Sequence, residues 1–237
     1  LDPSTFLKNN APAVVCEQAL SPIIEQIEVE GCASRWLLPG GRSVLPVVEY
    51  LNKRICAEGV LTKARFFQLD ERAVEESSPE RNFPALKEAF SSALSEKKLR
   101  PEQLVPIRCW EQDLEQEGKR YTESLRSHGA QVQISVLGIG EDGHFASLFP
   151  AHSALEVSAE TYLVVENAPK PPPRRLSASL PLVSSSTHML ALFFGEGKRA
   201  ALEKFKQQSA PTTEVPLSFL ADKSELTVLT DLDDSNE

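Results

Sequence analysis

Val132-Gln133-Ile134-Ser135-Val136-Leu137 is a mostly apolar run that passes without a spacer into Gly138-Ile139-Gly140-Glu141-Asp142-Gly143-His144. A short, mostly apolar run of this kind reads as a buried strand, as found in parallel sheets covered by helices. Glycines directly after such a strand mark a turn where backbone N–H groups can approach a ligand. Working outward, the same pattern recurs. Arg35-Trp36-Leu37-Leu38 stops at Pro39-Gly40-Gly41, and Ser43 to Ala57 follows with Val44, Val47, Val48, Leu51 and Ile55 at helical spacing. Ala64 to Leu69 reads as a strand ending in Asp70-Glu71-Arg72, and Asn82 to Leu94 and Gln112 to Arg126 read as helices. Beyond the glycine turn, Tyr162 to Val165 and His188 to Phe194 read as strands, Lys198 to Phe205 as a helix and Leu226 to Leu229 as a last strand. Strand, loop, helix and strand in repetition predict an α/β fold. The expected architecture is a three-layer α/β/α arrangement with a mostly parallel, Rossmann-like sheet and helices on both faces, in a single domain over 1–237.

Composition narrows the function classes. The 237 residues are 41% hydrophobic and 25% charged, which excludes a chain too polar to build a core. A net charge of −9 argues against a general nucleic-acid binder, whose phosphate partners need a basic face. No apolar stretch approaches the roughly 18–20 residues of a membrane helix. Cys16, Cys32, Cys56 and Cys109 show neither metal-ligand nor redox spacing, so they read as thiols in a reducing compartment. Leu1-Asp2-Pro3 opens no basic-then-apolar leader, so the expected address is cytoplasmic. Asp231 to Glu237 reads as a solvated acidic tail.

In an open parallel sheet the loops after the strands gather at one edge, and ligands bind there. Three of these loops carry a chemical pattern. In Gly40-Gly41-Arg42-Ser43 the glycines expose the backbone, the next helix offers its N-terminus to an anion, and Ser43 is placed to cap or donate. Arg42 beside a helix N-terminus makes electrostatic sense chiefly with an anion between them. Asp70 and Arg72, with Asn82 ten residues beyond, fit a hydroxyl-binding carboxylate and a second anion-binding guanidinium. On these residues alone, a simple strand exit remains open for both loops. In the third loop, Gly138, Gly140 and Gly143 frame His144, whose unperturbed range near pH 6.5 suits proton transfer in neutral solution. Asp142 lies two residues earlier and is placed to fix its tautomer. His128, His152 and His188 lack such a frame. No cluster has metal-ligand spacing, so neither metal nor cofactor is expected.

The run Gly138 to Pro150 resembles the G-x-G-x-D-G-H-x-A-S-L-F-P signature in the lactonase branch of the glucosamine-6-phosphate isomerase/6-phosphogluconolactonase family. Gly40-Gly41, Asp70-Glu71-Arg72, Lys170-Pro171-Pro172-Pro173 with Arg175-Leu176, and Gly195-Glu196-Gly197-Lys198 match further elements of that family in order. Arg42 stands where the family often has Ser. The resemblance implies metal-independent hydrolysis of a sugar-phosphate lactone, 6-phosphoglucono-1,5-lactone. It implies His144 and Asp142 as the catalytic pair, and a substrate site drawn from Gly40, Gly41, Arg42, Ser43, Asp70, Arg72, Asn82, Gly140, Gly143, Lys170 and Arg175. After the histidine, deaminases of the family have A-F-N-E-P, where this chain has Ala146-Ser147-Leu148-Phe149-Pro150. A sugar-phosphate isomerase or deaminase, or a non-catalytic sugar-phosphate sensor, are the competing expectations. The expected partner is the small-molecule lactone alone, with no nucleic acid or membrane, and the chain acting as a monomer or small homo-oligomer.

Overall fold

The computed structural model describes residues 5–110, 113–128, 131–207, 216–221 and 223–233. Their strands are β1 (Thr5–Lys8), β2 (Arg35–Leu38), β3 (Arg65–Gln68), β4 (Asp70–Arg72), β5 (Leu104–Val105), β6 (Ile134–Gly138), β7 (Tyr162–Val165), β8 (Arg175–Ala178), β9 (His188–Phe193) and β10 (Leu226–Thr230). Their helices are α1 (Pro12–Glu30), α2 (Leu45–Glu58), α3 (Asn82–Ala89), α4 (Ser91–Ser95), α5 (Leu114–Ser127), α6 (Leu180–Ser184) and α7 (Arg199–Gln207). Seven strands pair in parallel in the order β1-β10-β9-β6-β2-β3-β5. Successive side chains of each strand point to opposite faces. Trp36, Leu38, Ile134, Val136, Leu190 and Leu192 therefore pack with α1 to α4, while Leu37, Leu137, Met189, Ala191 and Phe193 pack with α5, α6 and α7. These are the three layers expected from the sequence.

The chain order reverses between β2 and β6: β3 and β5 continue to one side, β9 and β10 to the other. At such a switch point the loops leaving neighbouring strands diverge to opposite faces and leave a crevice at their carboxyl ends. The Gly40-Gly41 loop leaves β2 there, and the Gly138–His144 loop leaves β6 beside it.

Four features depart from the sequence-based expectations. Tyr162–Val165 is a strand, but it belongs to a separate antiparallel sheet, β4-β8-β7, rather than to the parallel one. The segment between β7 and β8 is too short to carry a crossover helix, so the two strands pair antiparallel. Residues 82–94 form two helices, because the backbone breaks at Phe90, whose ring is buried 4.9 Å from that of Phe66. The 19-residue α1 has no counterpart among the expected elements. Its start lacks a side-chain cap and Pro22 lies inside it, yet Val15, Ala19, Leu20, Ile23, Ile24 and Ile27 bury one face, so tertiary packing outweighs the missing local signals. The tail is also not simply solvated: Asp231 accepts the Gly195 N–H at 2.8 Å, and Asp233 pairs with Lys8 at 3.2 Å. Residues 234–237 lie outside the described set. All four cysteines are free, with Cys16 and Cys109 buried.

Candidate active site

A cleft of about 700 Å³ opens at the switch point, lined from β2, β6 and β9 by Gly41, Arg42, Ser43, Gly138, Gly140, Glu141, His144, Gly195 and Lys198, with Lys170 reaching in from the β7–β8 connection. Two loops flank its centre and share one construction. Gly41 and Gly195 both sit at φ +86°, each opening a single 3₁₀ turn (Arg42–Val44 and Glu196–Lys198) that runs straight into α2 or α7. At Gly41 the positive φ is what demands glycine, since the space around an added Cβ is open. Both turns leave N–H groups without intrahelical partners at the cleft, which is where an anion is best received.

Between them the β6 loop folds back on itself. The Gly140 N–H donates to the His144 carbonyl at 2.7 Å, and the Gly143 N–H to the Gly140 carbonyl at 3.0 Å. A methyl group on Gly140 would lie 2.1 Å from His144 Nδ1 and 2.6 Å from Asp142 Oδ1, so the imidazole occupies the space that only glycine leaves. His144 Nδ1 bonds Asp142 Oδ1 at 2.5 Å, and Lys170 Nζ reaches the same oxygen at 3.1 Å. Burial acts to raise the Asp142 pKa, but the hydrogen bond and charge of His144, followed by those of Lys170, outweigh it and hold the carboxyl well below the usual range. With Nδ1 committed, Nε2 is the ring nitrogen left without a protein partner among the described residues. The neutral tautomer consistent with a carboxylate at Nδ1 carries its proton there and leaves Nε2 basic.

The cleft brings together Gly41, Arg42, Ser43, Gly140, His144 and Lys170 from the expected set, with Asp142 behind the imidazole. The remaining residues stand outside the lining. Gly40 packs on Asn82, where a Cβ would fall 2.0 Å from Oδ1, and Gly143 serves the turn. Asp70 is buried and accepts the Ser147 hydroxyl at 2.6 Å. Arg72 donates from Nη1 to the Glu80 carbonyl at 2.5 Å, while its Nε is buried without a partner. Arg175 is 4% exposed and donates to the carbonyls of Lys170 (2.8 Å), Pro171 (3.3 Å) and Pro172 (3.0 Å). Burial, with the Arg72 charge opposite it in the β4–β8 register, pushes its pKa down.

Lys198 enters the lining although it was not among the expected site residues. The signal existed: it ends Gly195-Glu196-Gly197-Lys198, a glycine turn after an apolar strand, the same pattern as the β2 exit. Burial and the neighbouring Lys170 lower its pKa, opposed by Glu141 and Asp142. Pro12, from the start of α1, also lines the cleft, and no motif pointed to it. Among the described residues no group of three or more His, Cys, Asp or Glu side chains is gathered as a metal site would require.

The switch-point cleft, two helix starts and a carboxylate-fixed imidazole among Arg42, Lys170 and Lys198 define a class: doubly wound α/β proteins built to hold a small anionic ligand beside a proton-transfer group. The profile of the glucosamine-6-phosphate isomerases/6-phosphogluconolactonase family matches residues 9–229, and the chain belongs to this family. It is 29% identical over 202 residues to a 6-phosphogluconolactonase of Borreliella burgdorferi, covering 81% of each chain. It is 30% identical over 176 residues to that of Mycobacterium tuberculosis, covering 70% of each. Among solved structures it resembles the Thermotoga maritima 6-phosphogluconolactonase (TM-score 0.79, 24% identity, 95% and 96% of the two chains). It also resembles a monomeric glucosamine-6-phosphate deaminase (TM-score 0.77, 21% identity, 95% and 96%). At these identities the structural likeness speaks for the fold alone.

Proposed function

We propose that this protein hydrolyses 6-phosphoglucono-1,5-lactone to 6-phosphogluconate, the lactonase step of the oxidative pentose phosphate pathway. The observation that carries the reading is the Asp142–His144 pair opening into a cleft lined by Arg42, Lys170 and Lys198. A lactone is an activated cyclic ester, so its hydrolysis needs a positioned water, a base, support for the developing oxyanion and a proton for the departing ring oxygen. His144 Nε2 takes the proton from water and later returns it to the leaving oxygen, while Asp142 holds the ring in the tautomer this requires and supports the imidazolium. The substrate phosphate is received by the N–H groups of the Gly41–Ser43 turn with Arg42, Lys170 and Lys198. Arg72, Asp70 and Asn82 serve the site from the rim or from behind it, and Arg175 shapes the loop that carries Lys170.

Where the deaminases of the family carry a glutamate after the histidine, this chain has the fully buried Phe149, which offers no acid for ring opening. That, together with lactonase relatives of 29–30% identity, favours the lactonase over the deaminase reading on a fold both share. The reading includes no metal, a cytoplasmic location and action as a monomer or small homo-oligomer on the lactone alone.

The test is hydrolysis of freshly made 6-phosphogluconolactone against its spontaneous rate, with ammonia release from glucosamine-6-phosphate measured alongside. Turnover well above background, unaffected by a strong chelator, is expected, and His144→Asn should lower kcat by about 10²–10⁴-fold. Product binding without turnover would favour the sensor instead, and ammonia release the deaminase.

A further inference from the structure

Beyond its own bond to Cβ, the imidazole is anchored by a single hydrogen bond at Nδ1, which leaves the ring room to tilt and carry Nε2 off line. A second contact is needed to fix its plane. The Phe149 ring supplies one: its centroid lies 4.5 Å from that of His144, with the two planes 30° apart, inside the range of favourable aromatic stacking. Phe149 has no exposed surface, so the contact is not lubricated by water.

The same ring also meets the Arg175 guanidinium, whose Cζ lies over it at 5.3 Å from the centroid. Arg175 in turn gathers the carbonyls of Lys170, Pro171 and Pro172, and Lys170 Nζ reaches Asp142. The contacts close into a circuit. One arm runs from His144 through Asp142 to Lys170, the other from His144 through Phe149 to Arg175, and the two meet in the segment 170–175. An aliphatic side chain could fill the volume at 149, but it has no flat face for the imidazole and no quadrupole for the guanidinium.

We propose that Phe149 is a positioning residue: its ring sets the plane of the His144 imidazole and registers it against the loop that presents Lys170. The kinetic half of this inference rests on the lactonase reading; the spectroscopic half does not.

The experiment compares Phe149→Leu and Phe149→Met, which remove the ring, with Phe149→Tyr, which keeps it. Each is scored for melting temperature, kcat and KM on 6-phosphogluconolactone, Kd for 6-phosphogluconate, and the Nδ1–H proton hydrogen-bonded to Asp142 in ¹⁵N-histidine-labelled protein, assigned through its loss in His144→Asn. The ring-less variants should lose about 10- to 100-fold in kcat, as expected for a proton-transfer group misplaced by a fraction of an ångström to one ångström. KM and product Kd should stay within about threefold, and the Nδ1–H signal should broaden or vanish. Phe149→Tyr should retain kcat within about threefold and keep the signal.

Wild-type kcat in a folded ring-less variant overturns the proposal, as does an undisturbed Nδ1–H signal there. So does a loss shared equally by kcat and product binding, or failure of both ring-less variants to fold, since each of these marks a packing role alone. If the wild-type protein does not hydrolyse the lactone, the lactonase reading falls, and the Nδ1–H signal still decides the positioning role.

Discussion

At the scale of single residues, the Asp142 carboxylate governs how the site responds to pH. Its folded-state pKa lies below that of an unfolded Asp, near 3.9. The pairing therefore contributes in full above about pH 4 and is lost only as pH falls through the depressed folded value. We expect the rate–pH profile of lactone hydrolysis to show no limb from this carboxylate between about pH 5 and 8. Asp142→Asn should lower kcat, through the lost support of the imidazole, without removing a limb in that range. A limb in that range abolished by Asp142→Asn alone would contradict this assignment. Gly140 belongs to the same scale: it is needed for the room it leaves to the imidazole, a reason the sequence motif hints at and only the packing states.

At the scale of elements, the most heavily bonded side chain near the site is one that contacts no part of the cleft. Glu71 is fully buried in β4, and its carboxylate accepts the backbone N–H groups of Arg72 (2.8 Å), Asn82 (2.7 Å) and Phe83 (2.9 Å) and the Gln68 amide (2.9 Å). It thereby caps the start of α3, where the helix's free N–H groups and positive end favour a carboxylate. The element it secures carries Asn82, whose side chain sits against Gly40 and donates to the Asp70 carbonyl at 3.2 Å. Glu71→Gln places an amide N–H₂ among donors and should lower unfolding stability by about 1–3 kcal/mol, measured by denaturant titration. KM should rise as well, since the Gly40-Gly41 turn rests on Asn82. An unchanged midpoint would show that the carboxylate charge is dispensable there. In the sequence this glutamate sits between two charged neighbours in Asp70-Glu71-Arg72 and reads like them as a strand-exit charge. The four hydrogen bonds that its carboxylate accepts separate its role from theirs.

At the scale of the whole molecule, a chain of net charge −9 must receive an anion. It does so by concentrating Arg42, Lys170 and Lys198 at one sheet edge, drawn from three separate strand exits. Arg42 and Lys170 are substantially solvent-accessible, so their pull on a phosphate is screened by salt, whereas the Asp142–His144 contact is direct. Raising ionic strength from about 0.05 to 0.5 M, a range over which the screening length falls from above 10 Å towards 4 Å, should raise KM several-fold and leave kcat nearly constant. A salt-independent KM would place the phosphate away from these cations.

The sequence by itself determined the layered α/β class, the parallel core strands and the two glycine loops at the β2 and β6 exits. These follow from local causes: apolar runs, helical periodicity, and glycine where the backbone must turn or be approached. It also marked Asp142 and His144, because their pairing spans only two residues along the chain. Only the tertiary structure decided which distant groups share the cleft. The antiparallel β4-β8-β7 sheet, the capping role of Glu71, the entry of Lys198 and the contact of Phe149 with Arg175 all depend on segments that are separate in the sequence. Local pattern records the conformation a segment prefers. Which segments meet is settled by burial and hydrogen-bond satisfaction over the whole fold, and that leaves little trace in any one stretch of sequence.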